Sequence, residues 1–396
     1  MPMIRNRRRA ILVVYLMAAG AQVVYAQAPS PRAPASIDAV AVPLSEGVRD
    51  ILVRIRPSIV QIKGFFGSNS AHAFHGTGFA VAPDGVFATN YHVVAQQVRY
   101  PEKYRLEYHT PDGQIGKVSV LAIDVRHDLA VVRAESFAPP PLLIDAAIPA
   151  KGSRAYAVGF PLDVGLTITE GISNGRVEDA FDARIHYSGA INAGMSGGPA
   201  LNALGSVIGV NVSGYRFEQL VSFLVPASHL RPLIDRALAR PSGEGEMKSS
   251  VAVQLRAHAG ELLGAFVGAM PTQVTGGYAL PGRLAPFMDC KAAGDPAPDS
   301  PVHLITAHCA AKAGLFVQHD LYTGDVRYSH YVLTTDRLDA WRFAHRLSEL
   351  ARARGTFGKR KHVGPFECQA SVVKLRGFDA SLLVCARGYH TLEDCP

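Results

Sequence analysis

The chain has 396 residues, of which 48% are hydrophobic, and a formal net charge of +7. Four of the positive charges are arginines within the first ten residues, so the rest of the chain carries only +3 (7 − 4). This length is enough for two hydrophobic cores, and the small charge excess gives no reason to expect nucleic-acid binding.

Residues 1–26 have the pattern of a secretory signal peptide. A basic head precedes the apolar run Ile11 to Val24, and Val24-Tyr25-Ala26 is a small-x-small cleavage site. The apolar run is short for a membrane-spanning helix. The sequence therefore predicts export to the periplasm or the medium and no stable membrane span after cleavage. An uncleaved anchor is the alternative.

Composition predicts the division of the remaining chain. Residues 27–43 are rich in Ala, Pro and Ser and are expected to form a flexible tether. Residues 44–240 should form the first folded domain. Residues 241–250 are expected to be a linker because of their Pro, Gly, Ser and charged residues, and residues 251–396 should form a second domain.

Within 44–240, short apolar runs alternate with tight turns. A helix is predicted after Ser45 and should end at Pro57. The triplets Pro83-Asp-Gly85 and Pro111-Asp-Gly113 predict hairpins between short strands. Further strands are predicted at Leu129 to Arg133, Ala155 to Gly159, Leu166 to Glu170, Ala183 to Tyr187 and Ser206 to Val212. Many short strands with few helices indicate an all-β barrel or sandwich.

A serine enclosed by glycines is the strongest catalytic signal in the chain. Gly194-Met-Ser196-Gly-Gly198 fits both the Gly-x-Ser-x-Gly elbow of α/β-hydrolases and the serine loop of trypsin-like proteases. In the hydrolases the base follows the serine. Here the best candidates for base and acid, His92 and Asp128, both precede it, which favours the protease order.

These three residues predict a nucleophilic triad. His92 would take the proton of Ser196, and a buried Asp128 would fix the tautomer of the histidine. The amides of Gly194 and Ser196 are expected to form an oxyanion hole. Solvent or structural roles are expected for the competing histidines and aspartate, which are His75, His127 and Asp124.

Five motifs in this order resemble the HtrA (Deg) family of trypsin-like serine proteases, over roughly residues 45 to 240. They are Gly76-Thr-Gly-Phe, Thr89-Asn-Tyr-His92-Val-Val, Asp128-Leu-Ala-Val-Val, Ala190-Ile-Asn-Ala-Gly-Met-Ser196-Gly-Gly-Pro and Val221-Ser-Phe-Leu-Val-Pro226. The resemblance implies two six-stranded β-barrels with the triad between them. It also implies endopeptidase activity on unfolded or exposed protein segments and a bacterial envelope location.

The chain departs from the family pattern at two places. Met195 stands before the serine, where the family usually has Asn or Asp. No PDZ-like signature is recognisable after residue 240, so peptide-gated activation, caged assembly and a chaperone role are not expected from the resemblance.

Substrate preference follows from the residues expected to line the primary pocket, none of which is a carboxylate that would pair with Lys or Arg. We therefore expect cleavage after small or medium aliphatic residues. The pocket candidates are Gly189, Ala190, Ile191, Asn211, Val212 and Ser213.

The second domain is predicted to be a small α+β module held by disulfides. All five cysteines lie there, and an exported chain should form two bridges with one cysteine left over. A hairpin is predicted from Gly314 to Leu333 with its turn at Thr323-Gly-Asp325, followed by a helix that starts at Thr335 or Asp336. The candidate cysteines are Cys290, Cys309, Cys368, Cys385 and Cys395.

No cofactor or metal is expected. Four of the histidines in the second domain alternate with apolar residues and raise the possibility of a metal site, but no carboxylate completes a ligand set with them. They are His303, His308, His319 and His330. Substrate capture, docking of a protein partner and autoinhibition remain open roles for this domain.

Two functions from different classes remain. The first is an exported serine endopeptidase acting on protein or peptide substrates. The second is an inactive or latent protease-fold adaptor that acts through the C-terminal domain, with Met195 marking a distorted serine loop. The presence of His92, Asp128 and Ser196 together favours the first.

Overall fold

The computed structural model describes most of the chain from residue 46 onward, together with two short N-terminal segments. The described residues are 9–10, 13–16, 46–212, 221–268, 271–275, 277–294, 299–311, 313–324, 326–350, 361–375 and 378–390. The expected tether over 27–43 lies outside them. No helix in these ranges has both the length and the apolar character needed to cross a bilayer.

Helices are few, as predicted. The helices are α1 (Glu46–Ile55), α2 (Tyr91–Arg99), α3 (Leu230–Ala239), α4 (Glu244–Gly264) and α5 (Ala340–Leu350), with single 3₁₀ turns at Arg56–Ser58, Pro161–Asp163 and Ala227–His229. Helix α1 agrees with the helix predicted after Ser45, and it ends two residues before Pro57, which lies in the following 3₁₀ turn.

Two short N-terminal strands, β1 (Arg9–Ala10) and β2 (Val13–Leu16), pair with strands of the C-terminal sheet. Both lie inside the expected signal peptide, so cleavage after Ala26 would remove them from that sheet.

The first barrel is built from six antiparallel strands and closes in the order β3-β4-β5-β8-β7-β6. Its β4–β5 and β6–β7 turns fall at the two Pro-Asp-Gly triplets. The strands are β3 (Ile59–Phe66), β4 (His72–Ala82), β5 (Val86–Thr89), β6 (Tyr104–His109), β7 (Ile115–Asp124) and β8 (Leu129–Ala134).

The second barrel closes in the order β10-β11-β14-β13-β12-β9. Its strands are β9 (Ser153–Gly159), β10 (Thr167–Arg176), β11 (Ile185–Tyr187), β12 (Pro199–Leu201), β13 (Val207–Val212) and β14 (Ser222–Pro226). One hydrophobic cluster joins the two barrels, with Phe79 and Leu129 from the first packed among residues that include Leu201 and Val225 from the second. The predicted double-barrel fold is confirmed.

The C-terminal region consists mainly of strands. A sheet runs in the order β17-β18-β21-β2-β23-β22, with β1 on β21, and two separate hairpins accompany it. The strands are β15 (Thr272–Thr275), β16 (Tyr278–Pro281), β17 (Met288–Gly294), β18 (His303–Ala311), β19 (Leu315–Gln318), β20 (Leu321–Thr323), β21 (Arg327–Thr334), β22 (Glu367–Leu375) and β23 (Phe378–Ala386).

Disulfides staple two strand pairs of this sheet. Cys290 of β17 faces Cys309 of β18, and Cys368 of β22 faces Cys385 of β23. Each bridge joins directly opposed residues, so it fixes the register of its hairpin. Two bridges were predicted, and two are present. The fifth cysteine, Cys395, lies outside the described residues.

Three local predictions for this region were wrong. Strand β21 pairs with β18 and not with β19, which forms its own short hairpin with β20. Helix α5 begins later than expected because the carboxylate of Asp339 accepts from the amides of Trp341 and Arg342. The linker expected over 241–250 is helical from Glu244 onward.

Helix α4 forms where a linker was predicted because it buries one apolar side on the first barrel. Met247, Val251 and Leu255 are at most 4% exposed and follow helical spacing. They pack in the same cluster as Val98 of α2 and Leu321 of the β19–β20 hairpin. Helix α2 is therefore enclosed between the barrel and the C-terminal region.

Candidate active site

The first two predicted triad residues form a close pair. His92 Nδ1 lies 2.7 Å from Asp128 Oδ2, and the His92 amide donates to Asp128 Oδ1 at 2.9 Å. His92 is in the first turn of α2, three residues after β5 ends. With both carboxylate oxygens engaged, Asp128 holds the imidazole with Nδ1 as a donor and leaves Nε2 free to act as a base.

Asp128 occupies a constrained position in the turn between β7 and β8. Its φ of 59° is left-handed, and the side chain is nearly buried. Its carbonyl accepts from the Tyr91 amide at 3.1 Å and from Asn90 Nδ2 at 2.7 Å. The start of α2 is thus tied to the backbone of the residue whose carboxylate orients His92.

The charge of Asp128 governs the protonation of His92. Burial opposes protonation of the ring, but the neighbouring carboxylate and its hydrogen bond outweigh burial and raise the pKa of His92 above its ordinary value. A base whose pKa is raised this way accepts a proton more readily from a hydroxyl.

A second Asp–His pair with similar distances lies in the same turn, and its aspartate, Asp124, is four residues before Asp128. His127 Nδ1 is 2.8 Å from Asp124 Oδ2, and the His127 amide donates to Asp124 Oδ1 at 3.0 Å. The His127 ring stacks on His229 with 3.8 Å between ring centroids. Asp124 was expected to be a solvated turn residue, but its carboxylate is half-buried and both of its oxygens contact His127.

Ser196 lies in the loop between β11 and β12 of the second barrel and is 5% exposed. The loop is held against the first barrel through Thr77, whose amide donates to the Ser196 carbonyl at 2.8 Å and whose hydroxyl donates to the Gly194 carbonyl at 2.7 Å. Thr77 is fully buried. Its Gly-Thr-Gly motif was noted in the sequence, but this positioning role was not predicted.

The glycine after the serine explains how closely the loop approaches the start of α2. Gly197 has a φ of 84°, and a Cβ there would collide with Thr89 Oγ1 and lie 2.9 Å from the Asn90 nitrogen. The serine loop therefore packs directly on the residues that precede His92. No hydrogen bond joins Ser196 Oγ to His92 within the described part of the chain, and such bonds often form only when substrate binds.

The predicted oxyanion donors are available. In the described structure, the amides of Gly194 and Ser196 donate to no protein acceptor, whereas the Met195 amide between them donates to the Asn192 carbonyl at 3.0 Å. Gly194 adopts a φ of 95°, which turns its amide in a way that other residues rarely allow.

Met195 points away from the cleft. Its side chain is fully buried in the second barrel beside Tyr187, Ile208 and Leu224. An apolar side chain at this position therefore fills a core site, and the serine loop does not need a polar residue there.

The expected pocket residues separate into two groups. Ala190 is exposed and Val212 is half-buried, so both are accessible to a ligand. Ile191 packs in the barrel core, and Asn211 uses its side-chain amide to donate to the carbonyls of Val158 and Met195. These two side chains support the loop, in contrast to the lining role predicted for them. Gly189 is buried, and Ser213 lies outside the described residues.

Sequence reasoning missed a contact that the C-terminal region makes to the site. The Phe316 ring of β19 lies edge-on to His92, with 5.7 Å between ring centroids. The hairpin is anchored by Tyr91, whose hydroxyl donates to the Val317 carbonyl at 3.0 Å. The predicted base is thus flanked by a residue more than 200 positions away in sequence.

Among the residues that the structure describes, one group of side chains could hold a metal ion. His72, His75 and Asp163 each offer a ligand atom, and these atoms lie within 4.8 Å of one another.

Comparison with known proteins agrees with this architecture. Residues 76–210 match the family model described as "Trypsin-like peptidase domain". The mitochondrial serine protease HTRA2 of Bos taurus is 31% identical over 217 residues, which are 51% of this chain and 44% of that protein. The probable periplasmic DegP-like serine endoprotease of Chlamydia pneumoniae is 35% identical over 178 residues, 43% of this chain and 35% of that protein.

The chain thus spans less than half the length of these curated relatives. Among solved structures, the active form of the Rv3671c protease from M. tuberculosis matches with a TM-score of 0.45 and 21% identity, covering 56% of this chain and 98% of that chain. The serine endoprotease from Yersinia pestis matches with a TM-score of 0.41 and 23% identity, covering 50% of this chain and 68% of that chain.

Proposed function

We propose that this chain, whose residues 76–210 match a trypsin-like peptidase domain and which is similar to HtrA and DegP-like proteases, is a serine endopeptidase that hydrolyses peptide bonds in proteins. The observation that carries the proposal is the doubly bonded His92–Asp128 pair beside a glycine-rich serine loop with two free amides.

In the proposed mechanism, Ser196 Oγ attacks the carbonyl carbon of the substrate while His92 Nε2 takes its proton. Asp128 stabilises the imidazolium that forms. The amides of Gly194 and Ser196 donate to the oxyanion. His92 then gives the proton to the leaving amine as the peptide C–N bond breaks. Water next attacks the acyl-serine while His92 takes its proton, and His92 returns that proton to Ser196 Oγ as the acyl–oxygen bond breaks and the carboxylic acid product leaves.

Small or medium aliphatic residues are the proposed preference at the cleaved position. The accessible pocket residues, Ala190 and Val212, offer no negative charge to a basic side chain. A peptide library varied at that position tests the preference, and a profile dominated by Lys or Arg would contradict it.

An exported location, periplasmic or secreted, fits the signal-peptide pattern of residues 1–26 and the periplasmic name of the Chlamydia relative. N-terminal sequencing of the mature protein, with Gln27 expected first, tests cleavage after Ala26.

Labelling with a fluorescent fluorophosphonate tests the proposed nucleophile. We expect the purified protein to be labelled at Ser196 because an assembled triad activates that hydroxyl alone, and Ser196→Ala should abolish labelling. Ser249→Ala, at an exposed position of helix α4, is the matched control and should label normally. Folded wild-type protein that stays unlabelled would favour the adaptor function instead.

Phe316 provides a test of how the C-terminal region acts on the proposed base. Removing its ring in Phe316→Ala should admit water to His92. Because burial lowers the pKa of His92, hydration should raise it further, and the acidic limb of kcat/KM should move to higher pH.

The control for this experiment is Trp341→Ala, which removes a ring that is 79% exposed in the same region. Its pH profile should match the wild type, and Phe316→Leu should restore most of the wild-type profile. An unchanged pH limb in Phe316→Ala would show that the ring does not position or shield His92.

A further inference from the structure

We propose that His72, His75 and Asp163 form a binding site for a divalent transition metal, of which Zn²⁺ is the representative, at the junction of the two barrels. His72 and His75 belong to β4 of the first barrel, whereas Asp163 lies in the turn between β9 and β10 of the second. A bound ion would link the two barrels.

The spacing of the side chains suits a small cation. His72 Nε2 lies 3.4 Å from Asp163 Oδ2. With metal–ligand bonds of about 2.0–2.1 Å, two ligands of a tetrahedral zinc ion lie about 3.4 Å apart. The third ligand atom, from His75, lies within 4.8 Å of the others, so closing to about 3.4 Å takes a side-chain movement of at most about 1.4 Å (4.8 − 3.4).

His75 carries the second, independent observation. Its Nε2 is shielded from solvent and has no hydrogen-bond partner in the described structure. A buried nitrogen without a partner is costly unless a ligand satisfies it.

The two oxygens of Asp163 have different surroundings. Oδ1 accepts from Gln61 Nε2 at 2.5 Å and lies 3.6 Å from Lys63 Nζ, whereas Oδ2 faces His72. Gln61 therefore orients the carboxylate in the way that outer-shell partners orient metal ligands.

The donor set determines the class of ion. Two imidazoles with one carboxylate favour zinc and its transition-metal neighbours, whereas magnesium and calcium prefer oxygen ligands. The Asp163 side chain is 38% exposed, so an ion reaches the site from solvent, and water can complete its coordination. This cluster differs from the C-terminal histidines that the sequence raised as metal candidates.

The site borders the serine loop. A Cβ at Gly194 would lie 2.6 Å from His75 Nε2, and the Leu162 amide next to Asp163 donates to the Ala193 carbonyl at 3.0 Å. The proposed metal would therefore hold His75 and Asp163 in place, and these two residues lie next to the loop that carries Ser196.

Calorimetric titration of the tag-free protein with ZnCl₂ tests the proposal directly and does not require catalysis. We expect one high-affinity Zn²⁺ per chain, no comparable binding of Mg²⁺, and a Tm that rises by roughly 5 °C when free Zn²⁺ is about 100 times its Kd. His75→Ala and Asp163→Asn should each weaken binding by at least about 100-fold, and Gln61→Leu by about 10- to 100-fold.

His319→Ala is the matched control because His319 lies 3.0 Å from Asp320 on the surface and could bind zinc non-specifically. It should bind Zn²⁺ as the wild type does. Asp163→Asn keeps the test valid if His75→Ala does not fold. Absence of Zn²⁺ binding, or equal binding by wild type and Asp163→Asn, overturns the proposal.

Discussion

Replacing Asp128 by Asn should lower kcat/KM by about 10⁴-fold while leaving the fold intact. Asparagine has nearly the same shape, but its amide would present a donor to His92 Nδ1. The ring would then favour the tautomer that carries the proton on Nε2, where it cannot accept the serine proton. Initial rates of hydrolysis of a casein-type or peptide substrate by the purified protein measure the loss of kcat/KM. Thermal unfolding in parallel shows whether the fold is intact.

Asp124→Asn is the matched control, because Asp124 makes the same two contacts to His127 that Asp128 makes to His92. We expect its kcat/KM to stay within about threefold of wild type, since only the pair beside the serine loop acts on substrate. Equal losses in both variants would mean that the activity depends on the general integrity of this turn.

The pH dependence of kcat/KM follows from the same pair. Because Asp128 raises the pKa of His92, the fraction of neutral base, and with it the activity, should increase as pH rises through a value above 6.5. Loss of the carboxylate in Asp128→Asn should move this limb toward lower pH. A limb that stays in place would assign the titration to another group.

The second large effect is expected at the oxyanion hole. Gly194→Ala should reduce kcat/KM by about 10² to 10³-fold, the usual loss when one oxyanion donor is misplaced. At φ 95° an added Cβ would collide with the Phe160 carbonyl oxygen and approach His75 Nε2 to 2.6 Å, so the peptide that carries the donor must rotate away.

Gly113→Ala separates the effect of the site from that of backbone conformation. Gly113 has a φ of 92°, close to that of Gly194, but no atom lies within 4 Å of its added Cβ. Both substitutions carry a left-handed strain of about 1–2 kcal/mol, yet only Gly194→Ala should lose activity. An active Gly194→Ala protein would remove this amide from the proposed mechanism.

The double barrel was predictable because its determinants are local. The Pro-Asp-Gly turns and the β-branched runs between them specify hairpins without reference to distant residues, and all of the expected strands appear. The candidate triad was predictable from chain order. The candidate base and acid, His92 and Asp128, precede Ser196, and this order favours a trypsin-like protease over an α/β-hydrolase. The close His92–Asp128 contact agrees with that selection.

Predictions failed where a distant partner decides the structure. Glycine and serine between residues 241 and 250 indicated a linker, but burial of Met247 against the first barrel stabilises a helix there. The Thr323-Gly-Asp325 turn suggested a hairpin, but β18 is the strand that pairs with β21. Asn211 looked like a pocket residue because sequence cannot show that its amide is used by the carbonyls of Val158 and Met195.

The enclosure of α2 between the barrel and the C-terminal region bears on how the protein unfolds. Val98 of α2, Val251 of α4 and Val317 of β19 belong to one hydrophobic core, and Tyr91 bonds to the hairpin from the residue before His92. A chain truncated at residue 240 would expose this apolar surface to water and free the segment that carries the base. Cooperative melting of both regions in a single transition is the thermodynamic signature of such a shared core.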